Sequence, residues 1–96
     1  MKTQSYIKTK LTTLKPILQQ KYPVAELAFF GSYARNEQTD DSDVDVMVVL
    51  NGKMGIDFFR MADEIEEYLG IRTDVASKNG LKPNFFEFIK PDLIYV

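Results

Sequence analysis

Asp43 and Asp45 stand two positions apart at the start of an apolar run that continues to Leu50. Alternate residues of a strand point to the same face of a sheet, so both carboxylates should emerge together. Two negative charges this close repel each other, and unpaired carboxylates at the edge of a core are costly. A hard divalent cation with oxygen ligands, most naturally Mg2+, relieves that repulsion. The pair therefore predicts a magnesium site.

A third aspartate, Asp74, interrupts the otherwise apolar residues 71–76, which are expected to form a later strand. A buried lone carboxylate is costly, whereas an aspartate that faces solvent from the middle of a strand is structurally unremarkable. Taken with Asp43 and Asp45, it is the candidate third ligand, since two magnesium ions about 3.5 to 4 Å apart need several shared carboxylates. We therefore expect acids from two strands to converge.

Two known motifs and one purely structural role could also account for the aspartate pair. A calcium-binding EF-hand loop beginning at Asp41 fails, because Val46 stands where that loop requires glycine and Gly52 where it requires glutamate. Phosphatases with an aspartate nucleophile carry the same Asp-x-Asp pattern, but there the apolar strand precedes the acids. The structural role is a polar strand entrance with solvated acids, which would need no further partner.

The residues before the aspartates suggest a phosphate-binding turn. The apolar residues 24–30 are expected to form a strand that Gly31 ends, and Ser32 is placed to cap a short helix over residues 33–36. A glycine at the end of a strand lets a phosphate approach the backbone. The N-terminus of the following helix would present free amides and a favourable dipole.

Arg35 follows this turn directly. Its guanidinium could reach a phosphate, or it could form a salt bridge with Asp40 or Asp41. The sequence favours neither use over the other.

The remaining helices are predicted from apolar periodicity. Apolar residues at steps of three and four indicate a helix over residues 5–20, in which Pro16 either makes a kink or marks the true start. A second helix begins near Ile56 and ends at Gly70. Asn84 can cap a third, short helix. The acidic face of the second helix should be solvated, and the core and tail should take up Phe58, Phe59, Phe85, Phe86 and Phe88.

The strands complete a small α/β domain. Besides residues 24–30, strands are expected over residues 43–50 and 71–76, and the apolar tail 93–96 should dock or pair as a final strand. The predicted fold is a small mixed sheet packed with helices, in a single domain that covers residues 1–96.

Composition excludes several classes of function. The chain has 96 residues, a formal charge of −2 and neither cysteine nor histidine. An acidic chain has no general attraction for nucleic acid or anionic lipid. Without histidine or cysteine there is no Ser-His or Cys-His nucleophile, no zinc-histidine site and no disulfide framework. No signal peptide or membrane span is evident, so we expect a cytoplasmic protein.

Several motifs together resemble the minimal nucleotidyltransferase (MNT) family of the DNA polymerase beta superfamily. The resemblance covers nearly the whole chain: Gly31-Ser32-Tyr33-Ala34-Arg35, six further residues, Ser42-Asp43-Val44-Asp45, then Asp74 and the ending Asp92-Leu93-Ile94-Tyr95-Val96. The chain departs from the family at Asn36, where glycine is common. Asparagine tolerates left-handed backbone angles, so the turn can survive.

The resemblance implies nucleotidyl transfer assisted by two magnesium ions, with ATP as the substrate. Asp43 and Asp45 would bind both ions and Asp74 one of them, while Asp74 would also help to take the proton from the attacking hydroxyl. Gly31 and Ser32 would hold the outer phosphates, and Arg35 and Ser42 would complete the nucleotide site.

The family also implies a partner. Small MNT proteins resemble antitoxins that are encoded with a HEPN-domain toxin, and some are thought to disarm the toxin by transferring AMP to one of its side chains. A competing hypothesis is a non-catalytic antitoxin that neutralises its toxin by binding alone, although the three retained carboxylates favour an enzyme. A transferase acting on a small molecule or an RNA end is disfavoured by the size and acidic charge of the chain.

Overall fold

The computed structural model describes residues 2–96, which form a four-stranded sheet packed against helices. The elements follow in the order α1 (Gln4–Lys21), β1 (Val24–Phe30), β2 (Val44–Leu50), α2 (Asp57–Leu69), β3 (Thr73–Ser77), α3 (Pro83–Ile89) and β4 (Ile94–Tyr95). Single 3-10 turns at Lys78–Gly80 and Lys90–Asp92 flank α3. The predicted α/β class is confirmed, and the apolar tail pairs as the final strand.

The strand order in the sheet is β3-β2-β1-β4. β1 runs antiparallel to both β2 and β4, whereas β2 and β3 are parallel. Parallel neighbours need a crossover connection, and α2 supplies it between β2 and β3. β1 and β2 therefore occupy the centre of the sheet, with β3 and β4 at its edges.

The first helix is continuous through its proline. The Thr3 hydroxyl caps it by accepting a hydrogen bond from the Tyr6 N–H at 3.0 Å. Pro16 lies inside the helix, so a helix start at that residue is wrong. The predicted apolar stripe is buried, and it consists of Ile7, Leu11, Leu14 and Leu18.

A glycine ends α2, and a proline begins α3. Gly70 closes α2 with a left-handed φ of 70°, as predicted. The predicted cap at Asn84 is wrong, because Pro83 is the first residue of α3 and Lys82 is its N-cap. Proline suits that first position, since its missing N–H would have no partner there and its φ is already helical.

Alternation of side chains gives the sheet two different faces. The first, called the helix face below, packs under α1 and α2 and carries Leu27, Phe29, Val44, Val46 and Val48. The second, called the acidic face below, carries Ala28, Phe30 and Met47. α3 packs on the acidic face through the buried Ile89. By the same alternation, Asp45 of β2 and Asp74 of β3 belong to the acidic face.

The aromatic residues divide between core and surface. Phe58 and Phe86 pack against the two core clusters as expected. The expectation is wrong for three others, since Phe59, Phe85 and Phe88 are 69%, 45% and 75% exposed. Phe86 and Ile89 occupy the side of α3 that packs against the sheet, so Phe88 is left at the surface and Phe85 meets the sheet only through the edge of Phe30. Within residues 2–96, no helix has both the length and the hydropathy that a membrane span requires.

Candidate active site

Asp45 and Asp74 are direct partners in the parallel pairing of β2 with β3. Registered residues of neighbouring strands point to the same side of the sheet, so the two carboxylates stand next to each other on the acidic face. Asp45 is half-buried and Asp74 is exposed. The sequence placed Asp74 in the middle of a strand over residues 71–76. It is instead the second residue of an edge strand, which explains its exposure.

The three predicted acids interact electrostatically. The pKa of Asp45 is raised above its ordinary value, first by burial and then by the negative charges of Asp74 and Asp43. The positive charge of Arg35 acts in the opposite direction. Asp43, Asp45 and Asp74 therefore form one electrostatic cluster at the start of β2 and β3.

Asp43 also has a partner that the sequence did not reveal. Its Oδ1 accepts a hydrogen bond from Arg72 Nε at 2.9 Å, and both side chains are substantially exposed. Among residues 2–96, no group of three or more acidic side chains is arranged so that it could hold a metal ion. Mutual repulsion of the carboxylates and the Asp43–Arg72 pair both oppose such an arrangement.

The chemistry of this cluster nevertheless suits a hard divalent cation. Its donors are all carboxylate oxygens, which Mg2+ prefers. The pKa of Asp45 is raised first by burial and then by the charges of Asp74 and Asp43, and a cation would offset the second of these effects. The pair between Asp43 and Arg72 is exposed to water, so it is weak and a cation could replace it. Asp43, Asp45 and Asp74 therefore fit a metal in donor type and charge.

Gly31 lies against the carboxylate of Asp45. It has a φ of +77°, and a Cβ added to it would overlap Asp45 Oδ2. The absence of a side chain thus serves two purposes, because it permits the left-handed backbone and leaves room for the carboxylate. This contact places the end of β1 directly against Asp45.

The residues after Gly31 form a turn, and the predicted short helix over residues 33–36 is wrong. Asn36 has a left-handed φ of 58°, and the Glu37 N–H donates to the Ser32 carbonyl at 2.8 Å. Together these features end the helical geometry after one turn, in the way that helices commonly terminate. Asn36 therefore adopts the left-handed backbone conformation that glycine allows at this position in the family it resembles.

The turn keeps several hydrogen-bonding groups available. In the described part of the chain, no hydrogen bond is formed by the N–H groups of Ser32, Tyr33 or Ala34, or by the Ser32 hydroxyl. With no helix present, a helix dipole does not contribute. Successive backbone N–H groups in a turn still make a concavity that suits an anion.

The first helix braces this turn from outside. Gln4 Nε2 donates to the carbonyl oxygens of Tyr33 and Ala34 at 3.2 and 2.8 Å. The Tyr33 side chain is buried in the main core. The turn is therefore held both by an amide bridge to α1 and by an aromatic anchor.

Arg35 links the turn to the end of the chain. Its Nε donates to Glu37 Oε1 at 2.8 Å and its Nη1 to Asp92 Oδ2 at 3.2 Å. These carboxylates raise the pKa of the guanidinium, which stays charged. Its ion-pair partners are therefore different from the Asp40 and Asp41 considered from the sequence. Arg35 is exposed and close enough to lower the pKa of Asp45.

Ser42 stabilises the loop that leads into β2. Its Oγ accepts a hydrogen bond from the Thr39 N–H at 2.9 Å, and its own N–H donates to the Thr39 carbonyl at 3.1 Å. This reciprocal pair fixes the loop immediately before Asp43. The observed contacts of Ser42 are those of a loop-positioning residue.

Two glutamates of α2 have structural partners, so the prediction of a fully solvated acidic face is wrong in part. Glu66 Oε2 accepts the N–H of Thr73 at 2.9 Å, directly before Asp74. Glu64 accepts hydrogen bonds from Lys21 and Tyr22 at 2.8 and 2.7 Å. Glu66 therefore positions the start of β3, which carries the third acid.

The contributors that sequence reasoning missed share one property. They reach the site from elements far away in the chain, and they are Gln4, Glu66, Arg72 and Asp92. Arg72 could have been found only from the register that pairs Val44 with Thr73, since that register brings residues 43 and 72 together. Asp92 lies in the ending that supported the family resemblance.

A surface groove elsewhere on the molecule is separate from this site. It lies between α1 and α2, on the helix face, and is lined by Leu14, Ile17, Lys21, Glu64, Glu67 and Tyr68. The acid cluster is on the opposite face of the sheet.

Comparison with known proteins identifies the family of this chain. The family model for the nucleotidyltransferase domain matches residues 11–96. The chain belongs to the nucleotidyltransferase family. The prediction of a nucleotidyltransferase is therefore confirmed, and the candidate site lies inside the matched region.

Several curated relatives match this nucleotidyltransferase over its whole length. "Putative protein adenylyltransferase MJ0128" of Methanocaldococcus jannaschii is 45% identical over 98 residues, covering 100% of both chains. Protein adenylyltransferase MntA of Thermococcus cleftensis is 33% identical over 97 residues, covering 100% of this chain and 98% of the relative.

Solved structures confirm the predicted minimal nucleotidyltransferase fold. A structure described as a "putative minimal nucleotidyltransferase" has a TM-score of 0.81 and 26% identity, and covers 97% of this nucleotidyltransferase and 95% of its own chain. A structure of tri-AMPylated Shewanella oneidensis HEPN toxin in complex with MNT antitoxin has a TM-score of 0.70 and 14% identity, with coverage of 93% and 70%. The second likeness concerns the fold alone.

Proposed function

We propose that this nucleotidyltransferase transfers AMP from ATP to a hydroxyl group of a partner protein. The observation that carries the proposal is the registered pair Asp45–Asp74 beside the Gly31 turn. Carboxylates next to a turn with available N–H groups are what a triphosphate and its cations require. The relatives named as protein adenylyltransferases support a protein as the acceptor.

Asp43, Asp45 and Asp74 would hold magnesium, most simply as two ions. Such ions neutralise the phosphate charge, polarise the α-phosphate and lower the pKa of an attacking hydroxyl. Binding requires Asp43 to exchange Arg72 for the cation. That exchange exposes no buried charge, because Arg72 lies at the surface.

The transfer itself needs one bond to form and one to break. The acceptor oxygen attacks the α-phosphorus of ATP, the bond to pyrophosphate breaks, and AMP remains on the acceptor. Asp74 is suited to accept the hydroxyl proton, because it is exposed on an edge strand where a protein side chain can approach it. Asp45 is less accessible and is better suited to binding cations.

The outer phosphates are assigned to the turn that begins at Gly31. The N–H groups and hydroxyl of Ser32 and the following residues would donate to phosphate oxygens. Arg35 would add a charged donor once it leaves Asp92. Ser42 would act by holding the loop before Asp43.

The partner that we propose is a HEPN-domain toxin, for which this protein would serve as the antitoxin. The support is the MNT antitoxin in the Shewanella complex, whose fold this chain shares. A reducing cytoplasm suits a chain that has no cysteine.

The test is incubation with ATP, Mg2+ and a candidate HEPN-domain protein, followed by intact mass measurement of that protein. We expect mass increases of AMP less water, which disappear with Asp45→Asn or Asp74→Asn but persist with Asp63→Asn, an exposed acid of α2. A partner that is silenced without any mass increase, by the wild type and by the site variants alike, would instead establish neutralisation by binding alone.

A further inference from the structure

The acidic face has an exposed aromatic surface that the proposed transfer chemistry does not use. It is formed by Phe85 of α3, which is 45% exposed. Phe86 and Ile89 already supply the packing of this helix against the sheet. A single exposed ring is common at protein surfaces, so the position of Phe85 decides what it could do.

Contacts of Phe85 place it beside the acid cluster. Its ring packs edge-to-face on Phe30, with centroids 6.2 Å apart and an interplanar angle of 75°. Phe30 is the register partner of Asp45 and directly precedes Gly31. Asp45, Phe30 and Phe85 are therefore successive neighbours on one face of the sheet. Phe59, which is also exposed, belongs to α2 and lies on the other face.

We propose that the exposed ring of Phe85 is the surface on which the nucleobase of the bound nucleotide stacks. This proposal rests on the proposed function, since it takes the phosphates to lie at the acid cluster and the turn. A nucleotide held there must place its base nearby, and a flat apolar ring is what a base covers favourably. The edge-on contact with Phe30 fixes the orientation of Phe85 without covering the whole ring.

Stacking also defines what this surface can distinguish. Every base has a π-face, so an aromatic platform binds bases without reading their hydrogen-bonding edges. Loss of one such stack corresponds to roughly a 5- to 150-fold rise in Kd, which is about 1–3 kcal/mol. The phosphate groups contribute nothing to that difference. The affinity for a ligand without a base should therefore not depend on the residue at position 85.

The experiment compares two ligands, MgATP and magnesium tripolyphosphate, by calorimetric titration of the full chain. Phe85→Ala should raise the Kd of MgATP roughly 5- to 150-fold and leave the Kd of tripolyphosphate within about twofold. Phe85→Trp should restore MgATP binding, because it keeps a stacking surface. Phe59→Ala, which removes an exposed ring from the other face, should change neither Kd.

Three results would overturn the assignment. Equal weakening of both ligands by Phe85→Ala would mean that the ring only supports the fold of the site, and unchanged MgATP binding would mean that the base lies elsewhere. Absence of MgATP binding by the wild type would also refute it. Because titration measures binding without a protein acceptor, a Phe85-dependent stack without AMP transfer would refute the proposed function alone.

Discussion

The carboxylate of Asp45 occupies the space that a side chain at residue 31 would take. Gly31 is also left-handed, with a φ of +77°. A single substitution there would therefore disturb both the backbone at the end of β1 and the position of a proposed metal ligand.

Gly31→Ala should abolish AMP transfer. The new Cβ would push Asp45 away, and the left-handed backbone would add a strain of about 1 kcal/mol. Gly55→Ala is the matched control, since Gly55 has a φ of +58° but nothing within 4 Å of an added Cβ. Urea denaturation and the transfer assay should show similar strain in both variants, with activity lost only in the first. Full activity of Gly31→Ala would refute the importance of this contact.

Asp45→Asn should make the protein more stable in buffer without divalent cations while removing its activity. The substitution eliminates a half-buried charge that Asp74 and Asp43 repel. Functional sites commonly carry such destabilising groups. Urea midpoints measured with and without Mg2+ check this, and we expect Mg2+ to stabilise the wild type but not the variant. Asp63→Asn should leave both midpoints unchanged, and a loss of stability in Asp45→Asn would contradict the prediction.

Glu66→Ala should lower both stability and transfer rate. It removes the carboxylate that accepts the Thr73 N–H at 2.9 Å, so about 1–2 kcal/mol should be lost and Asp74 should be less well held. Glu66→Gln retains an acceptor oxygen and should recover most of the activity. The exposed Glu67→Ala is the control on the same helix. Equal turnover in all three variants would show that this hydrogen bond does not position the site.

Arg35→Gln should weaken MgATP binding roughly tenfold, because it removes a charged phosphate donor. Its effect on the urea midpoint should be small, since Arg35 is exposed and its ion pairs are solvated. Asp92→Asn removes the negative charge that pairs with Nη1 of Arg35, so it should not weaken the binding of MgATP. If Arg35→Gln changed stability but left nucleotide affinity intact, the residue would be structural only.

Stability should fall in acid partly through Glu64. Hydrogen bonds from Lys21 and Tyr22 lower the pKa of Glu64 below its ordinary value of 4.5. The contribution of ionised Glu64 to the free energy of unfolding is therefore complete above pH 4.5. It is lost as the pH falls through the lower pKa of the folded state. Urea unfolding of Glu64→Gln should differ from the wild type by at most about 1 kcal/mol near neutral pH, and by less in acid below the folded-state pKa. A difference that grew toward low pH would contradict this sign.

The parts of the site that follow from local pattern were predictable. Strand alternation predicted a common side for Asp43 and Asp45, although β2 begins at Val44 and contains only Asp45. Gly31 was recognised as the end of β1. The pairing of Asp45 with Asp74 was not predictable in detail, because the register of two parallel strands depends on how the crossover helix packs. Ion pairs that join distant segments, such as Arg35–Asp92, depend on the same docking.

The wrong predictions have local physical causes. A helix after Ser32 was expected from capping alone, but the left-handed Asn36 ends the turn at once. Burial of Phe85 and Phe88 was expected from their hydrophobicity, yet Phe86 and Ile89 already occupy the side of α3 that packs against the sheet. The first error therefore came from the backbone of one residue, and the second from tertiary packing.

The amide bridge from Gln4 to the carbonyls of Tyr33 and Ala34 makes the start of α1 a natural observation point. A small fluorophore or a fluorine label there would sense rearrangement of the turn without altering any group that contacts the nucleotide. Engagement of ATP could then be followed in real time at equilibrium, independently of any acceptor protein.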